Sequence, residues 1–461
     1  MADSPLFWPV SELVAAYRAG DLSPVEVAKD ALYRIDRYGG DLNAYVTVTE
    51  ELLADEAERA ASAYGAGDER PLLGVPIAVK DVFHVAGVPT TCGSLVLREQ
   101  VAVQDSGMVR RLRSAGAMVV GKTNVPEFCQ SATTENLLGP DTANPWDVTR
   151  TAGGSSGGTA AAVAAGLASV GVGSDGGGSI RIPAAFTGLV GVKPGTGLCR
   201  DEHGFRTMSE FASPGPMART VADARILLGV LADRPYPRRD AAVQRVAWCP
   251  RPAGAPVDRD VASLVGHVPD LLAELAHDVA EYDLPVHGWE EIFAPLVLAE
   301  EHRERGHLLA LAGDQLTRYV RNTLRAGRDL APQRVAAAER ALVLYRERFT
   351  RLFDTFDVLV CPATAVPAFP LGERPRVVAG ERVRRLWGAF PFTSPFNVAG
   401  IPTLTLPCGL AAGLPVGVQL ATRPGDEQVL LDVTEELERA LRFDRSPVSG
   451  RWADSLLVET G

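Results

Sequence analysis

Apolar positions alternate along "GVPIAVKDV" (residues 74–82). Val75, Ile77 and Val79 fall on one side, Ala78 and Lys80 on the other. A period of two predicts a strand. "GAMVVGKTN" (116–124) predicts another, as do residues 169–174 and "GLVGVKP" (188–194). Near the start, "LSPVEVAKDALYRIDRYGG" (22–40) changes to helical spacing, with Val25, Ala28, Leu32 and Ile35 as its apolar stripe. Ser23 is placed to cap that helix, Pro24 suits its first turn, Glu26 completes a capping box and Gly39-Gly40 is expected to end it. A capped helix is predicted from 155 to about 166, and a second one opened by Pro183.

Residues 234–258, with prolines at 235, 237, 250, 252 and 256, read as a surface connection. From about 258 to 354 the chain is rich in Arg, Glu and Ala, and is expected to be mostly helical. "FDVLVCPA" (356–363), "IPTLTLPCG" (401–409) and "PVGVQLA" (415–421) return to strands, before a helix over about 426–442. Strands alternating with helices at both ends predict an α/β fold, a sheet packed on both faces by helices. We read 1–461 as a single domain. It comprises N-terminal helices (1–60), a core (61–233), a mostly helical insertion or flank (234–355), and returning strands with a C-terminal helix (356–442).

The net charge of −11 argues against nucleic acid as a partner. Residues 151–174 are uncharged but mostly Gly, Ser, Ala and Thr, too poor in large apolar side chains to favour lipid, so no membrane association is expected. The six cysteines are scattered without C-x-x-C or paired His-Cys spacing, which points to reduced thiols in a cytoplasmic protein and to no bound metal. Only four lysines occur, Lys29, Lys80, Lys122 and Lys193. A desolvated lysine can accept a proton near neutral pH, whereas arginine cannot.

"GAMVVGKT" (116–123) is a literal G-x-x-x-x-G-K-T. The residues between its glycines are strand material, and Pro126 follows where a phosphate loop needs a helix, so Lys122 reads as structural. "TAGGSSGGTAAAVAAG" (151–166) holds G-x-S-x-G in two overlapping registers, the pattern of a serine nucleophile on a tight turn. Such a serine normally needs a late histidine, and none of the seven histidines lies in the last 150 residues. His84, near Lys80, is a further candidate. "VGVGSDGGGSIRIPAAF" (170–186) reads as strand, glycine loop and helix. Its successive N–H groups suit an anion or a developing oxyanion, with Ser179 at the end of the loop. Asp175 and Arg181 flank it and are placed to pair across it.

Taken with "PLLGVPIAVKD", these clusters resemble the amidase signature family. The resemblance rests on Lys80, on Gly153-Gly154-Ser155-Ser156-Gly157-Gly158 and on Gly173-Ser174-Asp175-Gly176-Gly177-Gly178-Ser179-Ile180-Arg181. "GKTNVPEF" (121–128), "NPWD" (144–147), "GPMARTVADA" (215–224), "PFNVAGIP" (395–402) and "PVGVQLATRPGDEQVLL" (415–431) extend it from about residue 11 to 440.

The resemblance implies a large twisted mixed sheet, and a small-molecule amidohydrolase without cofactor or metal. Ser179 would be the nucleophile, Ser155 the bridging serine and Lys80 the general base. Gly176, Gly177 and Gly178 would form the oxyanion hole with the Ser179 N–H. Ser156, Asp175 and Arg181 would support the arrangement, and Cys129, Gln130 and Ser131 would lie beside the acyl pocket. The base must be uncharged, which burial on a strand of Val, Ile and Ala would favour. Homodimers are common in the family. Open alternatives are an acyl-transferring or amide-forming enzyme, and a glutamyl-tRNA amidotransferase A-like subunit. The tyrosine-rich stretch expected of the latter is not evident in 301–350.

Overall fold

The computed structural model describes residues 4–457. Eleven of the described strands form one mixed sheet. In chain order they are β1 (Tyr45–Val48), β2 (Pro76–Lys80), β3 (Met118–Thr123), β4 (Val170–Asp175), β5 (Val190–Lys193), β6 (Ser213–Ala218), β7 (Arg245–Trp248), β8 (Asp278–Glu281), β9 (Val358–Pro362), β10 (Thr403–Ala411) and β11 (Leu414–Thr422). Across the sheet the order is β1-β3-β2-β4-β6-β5-β10-β11-β9-β7-β8. β2 runs parallel to both β3 and β4, whereas β4–β6, β6–β5, β5–β10 and β10–β11 pair antiparallel. The α/β class expected from the alternation is the one found.

Helices cover both faces. In β2, Ile77 and Val79 enter one core with Val119 and Val172, while Ala78 enters the other with Val120 and Ala161. A strand buried on both sides needs apolar residues on both; Lys80, at its end, is the exception. The helix Gly157–Ala164 is buried all round. Its small residues allow close approach, since a Cβ on Gly158 would stand 2.4 Å from the Asn124 nitrogen and 2.5 Å from the Ala44 carbonyl oxygen. Among the described residues no helix is long and apolar enough to cross a membrane.

Several elements depart from the sequence reading. The capping box at Ser23 and Glu26 forms, but the helix runs through Gly39 and Gly40 to Leu42, where Asn43 closes it at φ 48°. Each interior glycine costs about 1 kcal/mol, which burial of Tyr38 against Trp452 and of Leu42 outweighs. The most buried line of that helix is Val27, Ala31, Arg34 and Tyr38, with Val25, Leu32 and Ile35 only partly covered. The helix assigned to Pro183 opens at Arg181. The expected connection at 234–258 contains β7, and the expected helical stretch contains β8, so this region extends the sheet. Both strands are four residues long and lie beside prolines or charges, too short for a period to register. β1, also four residues long, and β6, "SPGPMA", interrupted by two prolines, were likewise not predicted.

Candidate active site

Lys80 closes β2 and is fully buried. Its Nζ meets three oxygens: Ser155 Oγ at 2.7 Å, Ser174 Oγ at 2.9 Å and the Ser174 carbonyl at 3.1 Å. Parallel pairing of β2 with β4 brings Ser174 into reach. Ser155 arrives from the turn ahead of the buried helix, after a cis Gly154–Ser155 peptide bond. Two N–H bonds to Ser174 and one lone pair facing a hydroxyl would satisfy a neutral amine. Burial drives the Lys80 amine below its ordinary value, against the opposing pull of Cys129 and Asp175. The next carboxylate along the chain, Asp81, is turned away. It takes Lys122 Nζ at 2.7 Å in a fully buried pair, and Lys122 also donates to Thr90 Oγ1 at 2.9 Å. Lys122 thus sits on β3 in a salt bridge, in no phosphate loop.

Ser156 ties the parts together. Its N–H donates to the Ser179 carbonyl at 3.0 Å, and its hydroxyl lies 3.3 Å from the Ser174 carbonyl. Ser179 is thereby held beside the 155–156 turn. Its own hydroxyl makes no hydrogen bond among the described residues, Ser155 included.

The loop after β4 is organised by Asp175 and Arg181, both fully buried. The Asp175 carboxylate accepts from Arg181 Nε at 2.9 Å and Nη2 at 3.0 Å, from the Ile180 N–H at 3.1 Å and from Asn397 Nδ2 at 2.9 Å. Burial pushes this carboxyl up, but the Arg181 charge and the bonds from Arg181 and Asn397 outweigh it and hold it well below the usual range. The same carboxylate takes the Gly178 N–H at 2.7 Å. This corrects the expectation for Gly178, whose N–H is engaged within the protein and is not available to an oxyanion. Gly178 itself must be glycine: φ is 126°, and a Cβ would stand 2.2 Å from Thr393 Oγ1.

Thr393, Ser394 and Asn397, which the sequence reading did not single out, fix the loop from outside. Thr393 Oγ1 and Ser394 Oγ donate to the Gly177 carbonyl at 2.8 and 2.9 Å. Arg181 reaches the Thr393 carbonyl at 2.9 Å and Gln419 Oε1 at 3.1 Å.

Half-buried Ser179 opens on a cavity of about 270 Å³. Gly177, Cys129, Gln130 and Ser131 line it, as do Met208, Phe293, Val297 and Trp387, which the sequence reading missed. Phe293 and Val297 lie on the helix Trp289–Arg305. The one signal for them was a run of apolar residues in an otherwise Arg- and Glu-rich stretch. Gln130 Nε2 donates to Glu301, which is also held by Arg305 Nε at 2.7 Å and Thr207 Oγ1 at 2.8 Å. Phe128 and Cys129 both take left-handed backbone, φ 52° and 61°. His84 is not among the lining residues. It is partly buried, and burial followed by the Lys122 charge lowers its pKa.

The family model described as Amidase matches residues 26–431. The chain is 33% identical to the A subunit of the glutamyl-tRNA(Gln) amidotransferase of Roseiflexus sp. (strain RS-1), over 93% of this chain and 96% of that protein. It is 37% identical to the putative amidase AmiB2 of Mycobacterium tuberculosis (strain ATCC 25618 / H37Rv), over 89% and 91%. Among solved structures, a crystal structure of an amidase superposes with TM-score 0.88 at 31% identity, covering 94% of this chain and 100% of that one. The native peptide amidase of Stenotrophomonas maltophilia superposes with TM-score 0.81 at 28% identity, covering 95% and 98%. By sequence and by architecture, the chain belongs to the amidase signature family.

Proposed function

We propose that this protein is an amidohydrolase that cleaves a small carboxylic amide through an acyl-enzyme on Ser179. The observation that carries this reading is the 2.7 Å contact between the fully buried Lys80 amine and Ser155, whose neighbour Ser156 donates to the carbonyl of Ser179, the serine that opens on the cavity. Neutral Lys80 accepts the Ser155 proton as Ser155 takes the proton of Ser179. The unbonded Ser179 hydroxyl turns to Ser155 for this step, a contact that commonly tightens only with substrate bound. The Ser179 oxygen attacks the amide carbonyl, and the N–H groups of Gly176, Gly177 and Ser179 receive the developing oxyanion. Ser155 returns the proton to the departing nitrogen, and water then releases the acid. Ser156, Asp175 and Arg181 act as positioning residues.

The reading is tested by trapping. Rapid quenching with an activated ester should give a protein mass increased by one acyl group, located by peptide mapping to Ser179. An adduct on Ser155 or Cys129, or none during steady turnover, overturns it. Addition of hydroxylamine should partition the same intermediate and so measure the acyl-transfer alternative.

Ser174 gives a second check. Its hydroxyl accepts from Lys80 and so favours the ammonium form. Ser174→Ala should therefore move the acid limb of the kcat/KM profile to lower pH while lowering kcat. A limb that stays in place, or moves to higher pH, contradicts the assignment of Lys80 as base.

A further inference from the structure

None of the residues lining the Ser179 cavity carries a charge. Its wall is aromatic and aliphatic. Phe293 and Trp387 stand 5.8 Å apart, nearly perpendicular, and Trp289 and Phe211 back them at 5.4 Å from Trp387 and 5.1 Å from Phe293. The wall begins at the reactive loop, because a Cβ placed on Gly177 would meet Phe293 Cζ at 3.3 Å. On its outer side the cavity shares Gln130, Ser131 and Leu386 with a larger opening of about 400 Å³ bordered by Arg318, Arg374, Arg385 and Glu135. After acylation the amine must leave and water must enter, so the polar opening serves the departing half. The acyl group stays on Ser179 and occupies the apolar end.

We infer that the substrate is the amide of an uncharged, apolar carboxylic acid whose acyl group is about the size of an aromatic ring with a short extension. This rests on the acyl-enzyme reading given above. A cavity of about 150 Å³ lined by aliphatic and aromatic side chains accepts benzene; the volume here, about 270 Å³, leaves room for the carbonyl and a few further carbons. Glutamine, attacked at its side-chain amide, would carry an ammonium and a carboxylate into this wall with no counter-charge to receive either. Burying a charge without a partner is strongly unfavourable. The cavity therefore disfavours the glutaminase half-reaction of an amidotransferase.

The test is a comparison of kcat/KM for phenylacetamide, acetamide, succinamate and L-glutamine, with Ser179→Ala as control. Phenylacetamide should exceed glutamine and succinamate by about 100-fold or more, the scale of discrimination between matched and mismatched pockets. Phe293→Ala should lower the phenylacetamide-to-acetamide ratio about tenfold. Ala294→Trp, at an exposed position on the wall, should lower the same ratio by obstruction, and it covers the case in which loss of Phe293 impairs folding. Preferential turnover of glutamine or succinamate that depends on Ser179 overturns the acyl-class inference and leaves the acyl-enzyme reading standing. Turnover retained by Ser179→Ala overturns that reading itself. Failure of all four amides and of phenylacetyl and acetyl esters overturns both.

Discussion

Ser179→Ala should lower kcat by about 10³-fold or more, and Lys80→Ala and Ser155→Ala should do the same, because each removes a group whose chemistry no neighbour supplies. The double variant Lys80→Ala/Ser179→Ala should be scarcely worse than either single one, since residues that act as a unit lose their effect together. Lys80→Arg separates charge from basicity. It supplies donors and a permanent cation but has no proton-accepting state near neutral pH, so it should be as inactive as the alanine variant. The measurement is single-turnover acylation with an amide, accompanied by a thermal melt to show that the fold persists. Near-full amide turnover by Ser179→Ala would refute the nucleophile. Turnover retained by Lys80→Arg would refute the base.

The second large effect concerns stability. Asp175→Asn should destabilise the fold by about 3–5 kcal/mol, the cost of leaving one partner of a buried ion pair without the other. The Arg181 guanidinium is fully enclosed and gives two bonds to that carboxylate, and the same carboxylate also fixes the N–H groups of Gly178 and Ile180. The sign with pH follows from the depressed carboxyl. An unfolded aspartate titrates near about 3.9. The stabilisation is therefore complete above that pH and is lost as pH falls through the lower folded value. Urea unfolding of wild type and variant at pH 7 should show the full gap, and the gap should narrow below about pH 4. A gap absent at pH 7 would mean that Asn397 and Thr393 hold the loop unaided. Activity should fall as well, although Asp175 touches no substrate, because the glycine loop would lose its anchor.

Much of the chemistry is legible in the sequence because it is local. Lys80 is legible as the last residue of an alternating strand, with Asp81 in the turn that follows. The strand–glycine–helix succession places Ser179 at the end of its loop. The wall is illegible, and the outer anchors Asn397 and Gln419 are legible only as parts of the resembling stretches 395–402 and 415–431, because their position depends on topology. Asn397 and Gln419 reach Arg181 only because β10 pairs with β5 and β11 with β10. Phe293 and Trp387 meet across almost a hundred residues of chain. Gly178 shows a finer limit. Composition suggests a free N–H at every loop glycine, yet a carboxylate three residues earlier reaches back and takes one. The short strands β7 and β8 fail for a different reason: four residues beside prolines and charges cannot display a period.

Asp81 follows Lys80 directly and forms a buried pair with Lys122 of the neighbouring strand β3. Its consequence is a division of labour between two amines that differ little in depth. One is supplied with a counter-ion and serves as a fixed rivet. The other is surrounded by neutral oxygens and, on the proposed mechanism, is left free to trade a proton. If Lys80 is the base proposed here, exchanging their surroundings, by moving a carboxylate to the face of β2 that carries Lys80, would turn it into a second rivet and silence the enzyme without altering Lys80, Ser155 or Ser179.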